Sequence, residues 1–387
     1  MRILHTADWH LGRIFYNVHL TEDQAHVLDQ FVTLAREERA ELIIIAGDVF
    51  DRAVPPPEAV ALWDETVTRL VQETKAHIVV IAGNHDSAER LGLNARLLAA
   101  SRVHLHTKIS QTPLITLEDA HGPVHVHPLP YAEPVLARDR LDKEGASLIR
   151  THEDVLRQQM ARALKASAGA QARHVAVAHA TVLGAEKSDT ERPLAIGGAE
   201  AVSADVFTGC HYVALGHLHR PQAAGADHVR YAGSLLKYSF AETDHHKSVT
   251  LVDMDAKGAC HIEAISLTPR HDVRCVSGSF EELLARGEAD PAREDYILAE
   301  ITDTAPVYNA MERLRRVWPN LMHVDRKWLT EATHASNRFD SDAVKRLSPL
   351  ELFAGFYEDM TGKTLAEADR ALLASLLAEI ERQRREA

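Results

Sequence analysis

Apolar and polar positions along the first hundred residues follow two alternating periods. Residues 2–7 read as a short strand, and residues 21–38 carry Leu28, Phe31, Val32 and Ala35 at helical spacing behind a Thr21/Gln24 capping-box pair. Leu42-Ile43-Ile44-Ile45-Ala46-Gly47 is a continuous apolar run, a proline-opened helix is expected over 58–72, and Ile78-Val79-Val80-Ile81-Ala82-Gly83 is a further run. The order is βαβαβ, and strands apolar throughout are expected to be covered on both faces. Beyond Leu105 the pattern shortens to strands over 113–117 and 124–127 and a helix over 153–166. Strands over 174–178, 212–215 and 248–252 then suit a second, mixed or antiparallel sheet. The pattern changes again near Arg270, predicting strand 273–277, helix 280–285, strand 296–301, helix 306–317 and strand 321–327. The domains expected are 1–270, a small α+β module over 271–329, a polar linker over 330–347 and a helical tail over 348–387. In the tail, Ser348-Pro349-Leu350-Glu351 forms a capping box, and Leu373, Leu376, Leu377 and Ile380 form one stripe.

Composition restricts the function classes. Across 387 residues, 43 Lys and Arg against 56 Asp and Glu leave a net charge of −13, the wrong sign for binding nucleic acid by bulk charge. A polyanionic substrate must therefore be met by a local basic patch or by bound cations. Cys210, Cys260 and Cys275 are too few and too unpatterned for a disulfide framework or a structural zinc site, and they fit a reducing compartment. No stretch reads as a signal peptide or membrane span, so a cytoplasmic location with no membrane partner is expected. The 24 histidines are the oddity, because imidazole is both a metal ligand and a proton carrier.

Some of those histidines fall at determined places. Asp8-Trp9-His10, Gly47-Asp48, Gly83-Asn84-His85-Asp86, an isolated His179 and Gly216-His217-Leu218-His219 each follow an apolar strand directly. Any one of them arises easily by chance, but together they put Asp8, His10, Asp48, Asn84, His85, His179, His217 and His219 at strand C-terminal ends, where open α/β sheets bind ligands. Oxygen and imidazole donors without thiolates suit Mn²⁺, Fe²⁺ or Zn²⁺. A bridging carboxylate allows two ions about 3.5–4 Å apart, which activate water and neutralise phosphoryl charge. Phosphate ester hydrolysis follows, and bound cations would also resolve the sign of the net charge.

In this order the motifs resemble the calcineurin-like metallophosphoesterase superfamily, which implies an α/β fold of two mixed sheets flanked by helices. Flanking residues are similar to its SbcD family of nuclease subunits: His5 to Gly12, Gly47 to Arg52, Ser188 to Leu194 with Gly197-Gly198, Ala214 to Pro221, and Tyr231 to Ser234 with Ser239-Phe240. The resemblance implies one metal held by Asp8, His10 and His219, a second by Asn84, His179 and His217, and Asp48 between them. His85 would act on the phosphate or the leaving oxygen. Asp86 is expected to fix a histidine tautomer or cap the next helix, and Asp51 is assigned no catalytic role. The resemblance further implies two divalent ions, manganese first with magnesium, iron or zinc as alternatives. It implies 3′ to 5′ exonuclease action on duplex DNA, endonuclease action on single strands and hairpins, and a role in DNA repair, recombination and replication at the nucleoid. The implied partner is the SMC-like ATPase SbcC, docked by the tail helices, in a heterotetramer built on a homodimer of this chain.

Leu62, Trp63, Leu70, Leu91, Leu97 and Leu98 would supply that dimer contact, although core positions are the simpler reading. Arg313, Arg315, Arg316, Arg326 and Lys327 are candidate phosphate contacts against the alternative of a solvated charged face. A phosphoprotein phosphatase or small-molecule phosphodiesterase shares the metal-site residues. In Gly47-Asp48-Val49-Phe50-Asp51-Arg52, however, the phosphatase pattern's closing glycine is Ala53, and Asp86 stands where that pattern has Glu. A scaffold that has lost its metal is a further alternative, opposed by the complete donor set.

Overall fold

The computed structural model describes residues 1–141, 149–169, 171–186, 191, 201–303, 305, 307–326, 348–361 and 363–386, and divides into two compact units, Met1–Val273 and Arg274–Ala387. In chain order the first half of unit one contains β1 (Arg2–Thr6), a hairpin of β2 (Ile14–Phe15) and β3 (Val18–His19), α1 (Thr21–Glu37), β4 (Leu42–Ile45), α2 (Pro57–Glu73), β5 (His77–Ile81), α3 (Ala88–Leu91), α4 (Ala95–Leu98) and β6 (Val103–His106). There follow β7 (Ile115–Asp119), β8 (Gly122–Leu129), α5 (Pro134–Arg140), α6 (His152–Ala166), β9 (Arg173–His179), β10 (Thr181–Val182), β11 (Ala201–Val202), β12 (Tyr212–Gly216), β13 (Gln222–Ala224), β14 (Ala226–Tyr231), β15 (Ser248–Met254) and β16 (Cys260–Ser266).

Strands β1, β4, β5 and β6 run parallel in a six-stranded sheet ordered β16-β15-β1-β4-β5-β6, whose first two strands are antiparallel additions. A second six-stranded sheet, β13-β14-β12-β9-β8-β7, has four parallel strands between antiparallel edges. The sheets face each other across one buried cluster, in which Ile3, Leu42, Ile44, Val79 and Ile81 meet Val124, Val126, Val175, Val177, Tyr212 and Ala214. Residues of the other parity, such as Leu4, Ile43, Ile45, Ile78 and Val80, are just as deeply buried. On the second sheet, Leu156 and Met160 of α6 cover Ala176, Ala178, Val213 and Leu215. Burial on both faces is why these strands are apolar throughout and do not alternate.

Two expectations for the first unit's strands and helices need correction. The strand over 248–252 belongs to the first sheet, where β15 pairs antiparallel with β1, Leu4 opposite Leu251; a strand buried on both faces carries no pattern that names its neighbour. Thr21 and Gln24 form no capping box: α1 is entered through Leu20 without a side-chain cap, and Gln24 is buried and bonded elsewhere. The six candidate dimer-contact residues divide, with Leu70 and Leu91 buried, Trp63 edge-on to Trp9 and Phe50, and Leu97 74% exposed.

The second unit carries β17 (Val273–Gly278), α7 (Phe280–Ala289), β18 (Tyr296–Ile301), α8 (Ala310–Arg315), β19 (Leu321–Arg326), α9 (Pro349–Thr361) and α10 (Glu367–Glu386). A three-stranded sheet ordered β17-β18-β19 packs with α7 and α8 around Leu283, Ile297, Leu314 and fully buried Trp318. The helix predicted over 306–317 is short, spanning Ala310–Arg315. Asn309, the residue before it, takes a left-handed φ of 50°. The capping box at α9 is present, Glu351 accepting from Ser348 N at 2.8 Å and Ser348 Oγ accepting from Glu351 N at 3.3 Å. Arg313 lies over the Phe280 ring, Arg315 donates to Leu321 O at 3.1 Å and Arg326 to Val307 O at 3.4 Å, while Arg316 pairs with Glu312. The linker and Lys327 lie outside the described residues. No described helix is long and apolar enough to cross a membrane.

Buried histidines give the fold a pH dependence. Burial lowers His106 and His127 to about 4 and His5 to about 3. Each is neutral in the fold and takes up a proton in the unfolded chain near its ordinary value of about 6.5. Stability is therefore intact above that value and falls as pH drops through 6.5 toward 4, by about 3 kcal/mol for each fully shifted group. An NMR titration of the ring C–H signals of these three histidines from pH 7.5 to pH 5 is expected to leave them neutral, and midpoints near 6.5 would contradict neutral burial.

Candidate metal centre

Loops leaving β1, β4 and β5 of the first sheet, and the ends of β9 and β12 in the second, bring the polar motifs together. Asp8, His10, Asp48, His179, His217 and His219 are all buried, none above 4% exposed. Oxygen and nitrogen donors of Asp8, His10 and Asp48 lie within 4.8 Å of one another. His10 Nε2 faces His219 Nε2 at 3.1 Å, and His10 Nδ1 is buried with no hydrogen-bond partner among the described residues. On the other side His179 Nε2 is 2.9 Å from Asn84 Oδ1, and His217 Nδ1 is 3.3 Å from the same oxygen. Asp48 stands between these groups, its Oδ2 being 3.8 Å from His10 Nε2 and 3.4 Å from His179 Nε2.

Backbone strain is concentrated here. Asp8, His10 and Asp48 have φ of 53°, 45° and 49°, and His217 has φ of 102°. Such values are uncommon for residues with a Cβ and persist where the surroundings enforce them. The enforcing bonds are visible: Asp8 N donates to Gly47 O at 3.1 Å, His10 N to Asp48 O at 3.0 Å, and His217 N to the Asp8 carboxylate at 2.9 and 3.1 Å. His179 Nδ1 donates to Ala46 O at 2.9 Å, which joins the sheets and turns Nε2 toward Asn84 and Asp48. Gly83 packs against Asp48 so closely that a Cβ would lie 2.2 Å from Asp48 Oδ1.

Two carboxylates this deep require counter-charge. Burial raises Asp8 to about 7. Burial also pushes Asp48 up, but the adjacent His179, with His10 and His85, outweighs it and holds Asp48 below the usual carboxylate range. Conversely His179 is raised to about 9, because the Asp48 charge and hydrogen bond, with Asp8, overcome a burial effect that alone would lower it. His10 and His217 are held well below their ordinary value by burial. A divalent cation would replace the His179 proton, and the neutral imidazoles are already in the form that ligates. The donor chemistry therefore fits one or more cations of borderline hardness.

His85 stands beside this cluster. Its ring is 4.8 Å from that of His10, its backbone N donates to Asp48 Oδ1 at 2.8 Å, and its Nδ1 donates to Asp51 O at 2.8 Å. Asp51, given no role from sequence, thus orients His85 through its carbonyl. Its carboxylate, held by Arg13 at 2.8 Å, lies 3.7 Å from His10 Nδ1. Asp86 neither fixes a histidine nor caps a helix: its carboxylate accepts from Gly83, Val49 and Phe50 N at 2.9, 3.2 and 3.0 Å, tying two site loops together. Ser87 caps the helix that follows.

Residues 1–221 match the family model described as calcineurin-like phosphoesterase. The chain belongs to that family. Residues 269–361 of this phosphoesterase match the type 5 capsule protein repressor C-terminal domain. Over 384 residues, 98% of each chain, it is 29% identical to the SbcD subunit of the nuclease SbcCD from Staphylococcus epidermidis. Two solved structures are similar at a TM-score of 0.39: TT1561 of Thermus thermophilus, 15% identical over 68% of this chain and 98% of that one, and a dimetal phosphatase from Danio rerio, 11% identical over 70% and 97%.

Sequence reasoning missed the buried supports of the site. Gln24 donates to His10 O at 2.8 Å and Trp9 O at 3.1 Å and accepts from Gly12 N at 3.1 Å, so it shapes the loop after β1. Glu242 accepts from His219 Nδ1 at 2.9 Å and Lys247 at 2.6 Å. Glu191 accepts from His219 N at 2.9 Å, whereas 188–190 and 192–198 lie outside the described residues. A glutamine in a helix's first turn reads as a cap, and a Glu and Lys five apart read as surface charge.

Proposed function

We propose that this phosphoesterase is a metal-dependent DNA nuclease subunit that works with an SbcC-type SMC-like ATPase in processing DNA ends. The substrate class rests on the similarity to the SbcD subunit of the nuclease SbcCD, which spans 98% of both chains and so includes the second unit. Cutting duplex ends from 3′ to 5′ and opening single strands and hairpins complete the proposal, with two Mn²⁺ as the ions. Asp8, His10 and His219 would hold one ion and Asn84, His179 and His217 the other, with Asp48 shared. This division is supported by the two donor groups on either side of Asp48. α9 and α10 would dock the ATPase, consistent with Phe353, Phe356, Leu372, Leu376 and Ile380 being exposed.

Bound cations supply Lewis-acid neutralisation of the phosphoryl oxygens and acidify water at the site. The chain does the rest. The loops after β1, β4 and β5 fix the carboxylates before substrate arrives, so little reorganisation accompanies the reaction. His85, held at Nδ1 by the Asp51 carbonyl, presents Nε2 to the phosphate. In its protonated form that nitrogen gives its proton to the departing sugar oxygen.

The test is cleavage of end-labelled duplex and hairpin DNA by the full chain with Mn²⁺, beside p-nitrophenyl phosphate and a phosphopeptide, with Asp48→Ala as control. Duplex cleavage is expected and should be lost in the variant. Turnover of the small esters with no DNA cleavage, even with the ATPase partner added, would assign a phosphatase instead.

A further inference from the structure

The two donor groups flanking Asp48 differ in what stands behind them. His179 Nδ1 donates to a neutral group, the Ala46 carbonyl, at 2.9 Å. His219 Nδ1 faces a carboxylate instead, Glu242 Oε1 at 2.9 Å, on a residue that is fully buried. Glu242 is kept anionic at that depth by Lys247, whose buried ammonium lies 2.6 Å from Oε2 and also donates to His219 O and Ser234 Oγ, each at 2.8 Å. Glu242 Oε2 accepts in addition from Tyr238 N at 3.3 Å, and the Tyr238 hydroxyl donates to Trp9 O at 2.5 Å. The segment from Ser234 to Lys247 thus braces His219 directly and the loop carrying His10 through Tyr238.

We infer that Glu242 is a positioning residue that makes the two metal subsites unequal, the Asp8/His10/His219 subsite being the tighter. The inference rests on the division of ligands proposed above. A carboxylate behind an imidazole fixes its tautomer with Nε2 toward the metal and raises its basicity, and removing such a partner typically costs about 10–100-fold in metal affinity. The charge count acts in the same direction. Lys247 offsets the charge of Glu242, so the count rests on the direct donors: one subsite has Asp8 beside the shared Asp48, whereas the other has neutral Asn84 beside the same Asp48. Lys247 is the counter-ion that makes a buried carboxylate tolerable, since an unpaired one would be strongly destabilising.

The experiment is Mn²⁺ titration of the full chain by calorimetry, with free Mn²⁺ followed by electron paramagnetic resonance, for the parent, Glu242→Gln and Glu242→Gln/Lys247→Met. The double variant removes both charges, so it stays informative if the single one strands Lys247 and fails to fold. The parent should bind two ions in two classes. Both variants should weaken the tight class by at least tenfold and leave the weak class in place. Unchanged isotherms, or loss confined to the weak class, would overturn the role of Glu242. A parent that binds no Mn²⁺ would instead overturn the metal reading of the whole site. Unfolding in EDTA provides the control: a purely structural role predicts lower stability with both binding constants unchanged, which would also overturn the proposal.

Discussion

His85→Gln should lose DNA cleavage by roughly 10²–10⁴-fold in kcat while binding Mn²⁺ as tightly as the parent. The imidazole is tied at Nδ1 to the Asp51 carbonyl at 2.8 Å, and it is assigned to neither of the two donor groups proposed around Asp48, although its ring lies near His10. Its contact with Asp48, the carboxylate proposed to hold metal, is through the backbone, His85 N to Asp48 Oδ1 at 2.8 Å, and glutamine keeps that bond. Glutamine offers an amide where the mechanism needs a group that can give up a proton, so turnover falls and binding does not. Calorimetry with Mn²⁺ and single-turnover cleavage of end-labelled duplex separate the two effects. Cleavage at the parental rate would remove His85 from the chemistry. Equal loss of Mn²⁺ affinity would make it a ligand or a support. Asp51→Ala is the companion control: the carbonyl that orients His85 survives, so a smaller loss is expected, arising from Arg13 and from the carboxylate 3.7 Å from His10.

The donors can be read from sequence because each follows an apolar strand, and parallel strands deliver their C-terminal residues to one edge. Asp8, Asp48, Asn84, His179 and His217 all sit at or just beyond the ends of such runs, so strand placement predicts a cluster at the edge of each sheet, and the packing of the two sheets brings the clusters together. The supports are hidden for a physical reason. Gln24 lies in the first turn of α1 and Glu242 in a connection after β14, and each is committed by contacts that only the fold creates, Glu242 with a lysine that neutralises it. A buried ion pair has the same composition as a surface one, and only the fold distinguishes them. The sheet to which β15 belongs is illegible for a related reason: an apolar run fixes burial on both faces but not the identity of the strand beside it.

The second large effect comes from two glycines where the chain leaves no room. At Gly216, the last residue of β12, an added Cβ would lie 2.0 Å from Ala46 O and 2.9 Å from His179 Nδ1. Neither neighbour is the free end of a flexible chain: one is backbone leaving β4, and the other is pinned to that same carbonyl. Gly216→Ala should therefore force the two sheets apart where they are joined and destabilise by about 3 kcal/mol or more. At Gly83 the Cβ would lie 2.2 Å from Asp48 Oδ1 and 2.4 Å from Asp48 N. This clash falls on a loop and on one carboxylate, so Gly83→Ala should displace Asp48, the proposed shared ligand, and cost far more in Mn²⁺ binding than in folding. Urea unfolding in EDTA together with Mn²⁺ calorimetry should show opposite rankings, Gly216→Ala the greater loss of stability and Gly83→Ala the greater loss of metal relative to its stability. If Gly83→Ala keeps parental Mn²⁺ affinity, Asp48 either tolerates displacement or does not hold the ions, and Asp48→Ala decides between these. If Gly216→Ala unfolds at the parental midpoint, the contact between β4 and β12 is looser than the packing at Ala46 implies.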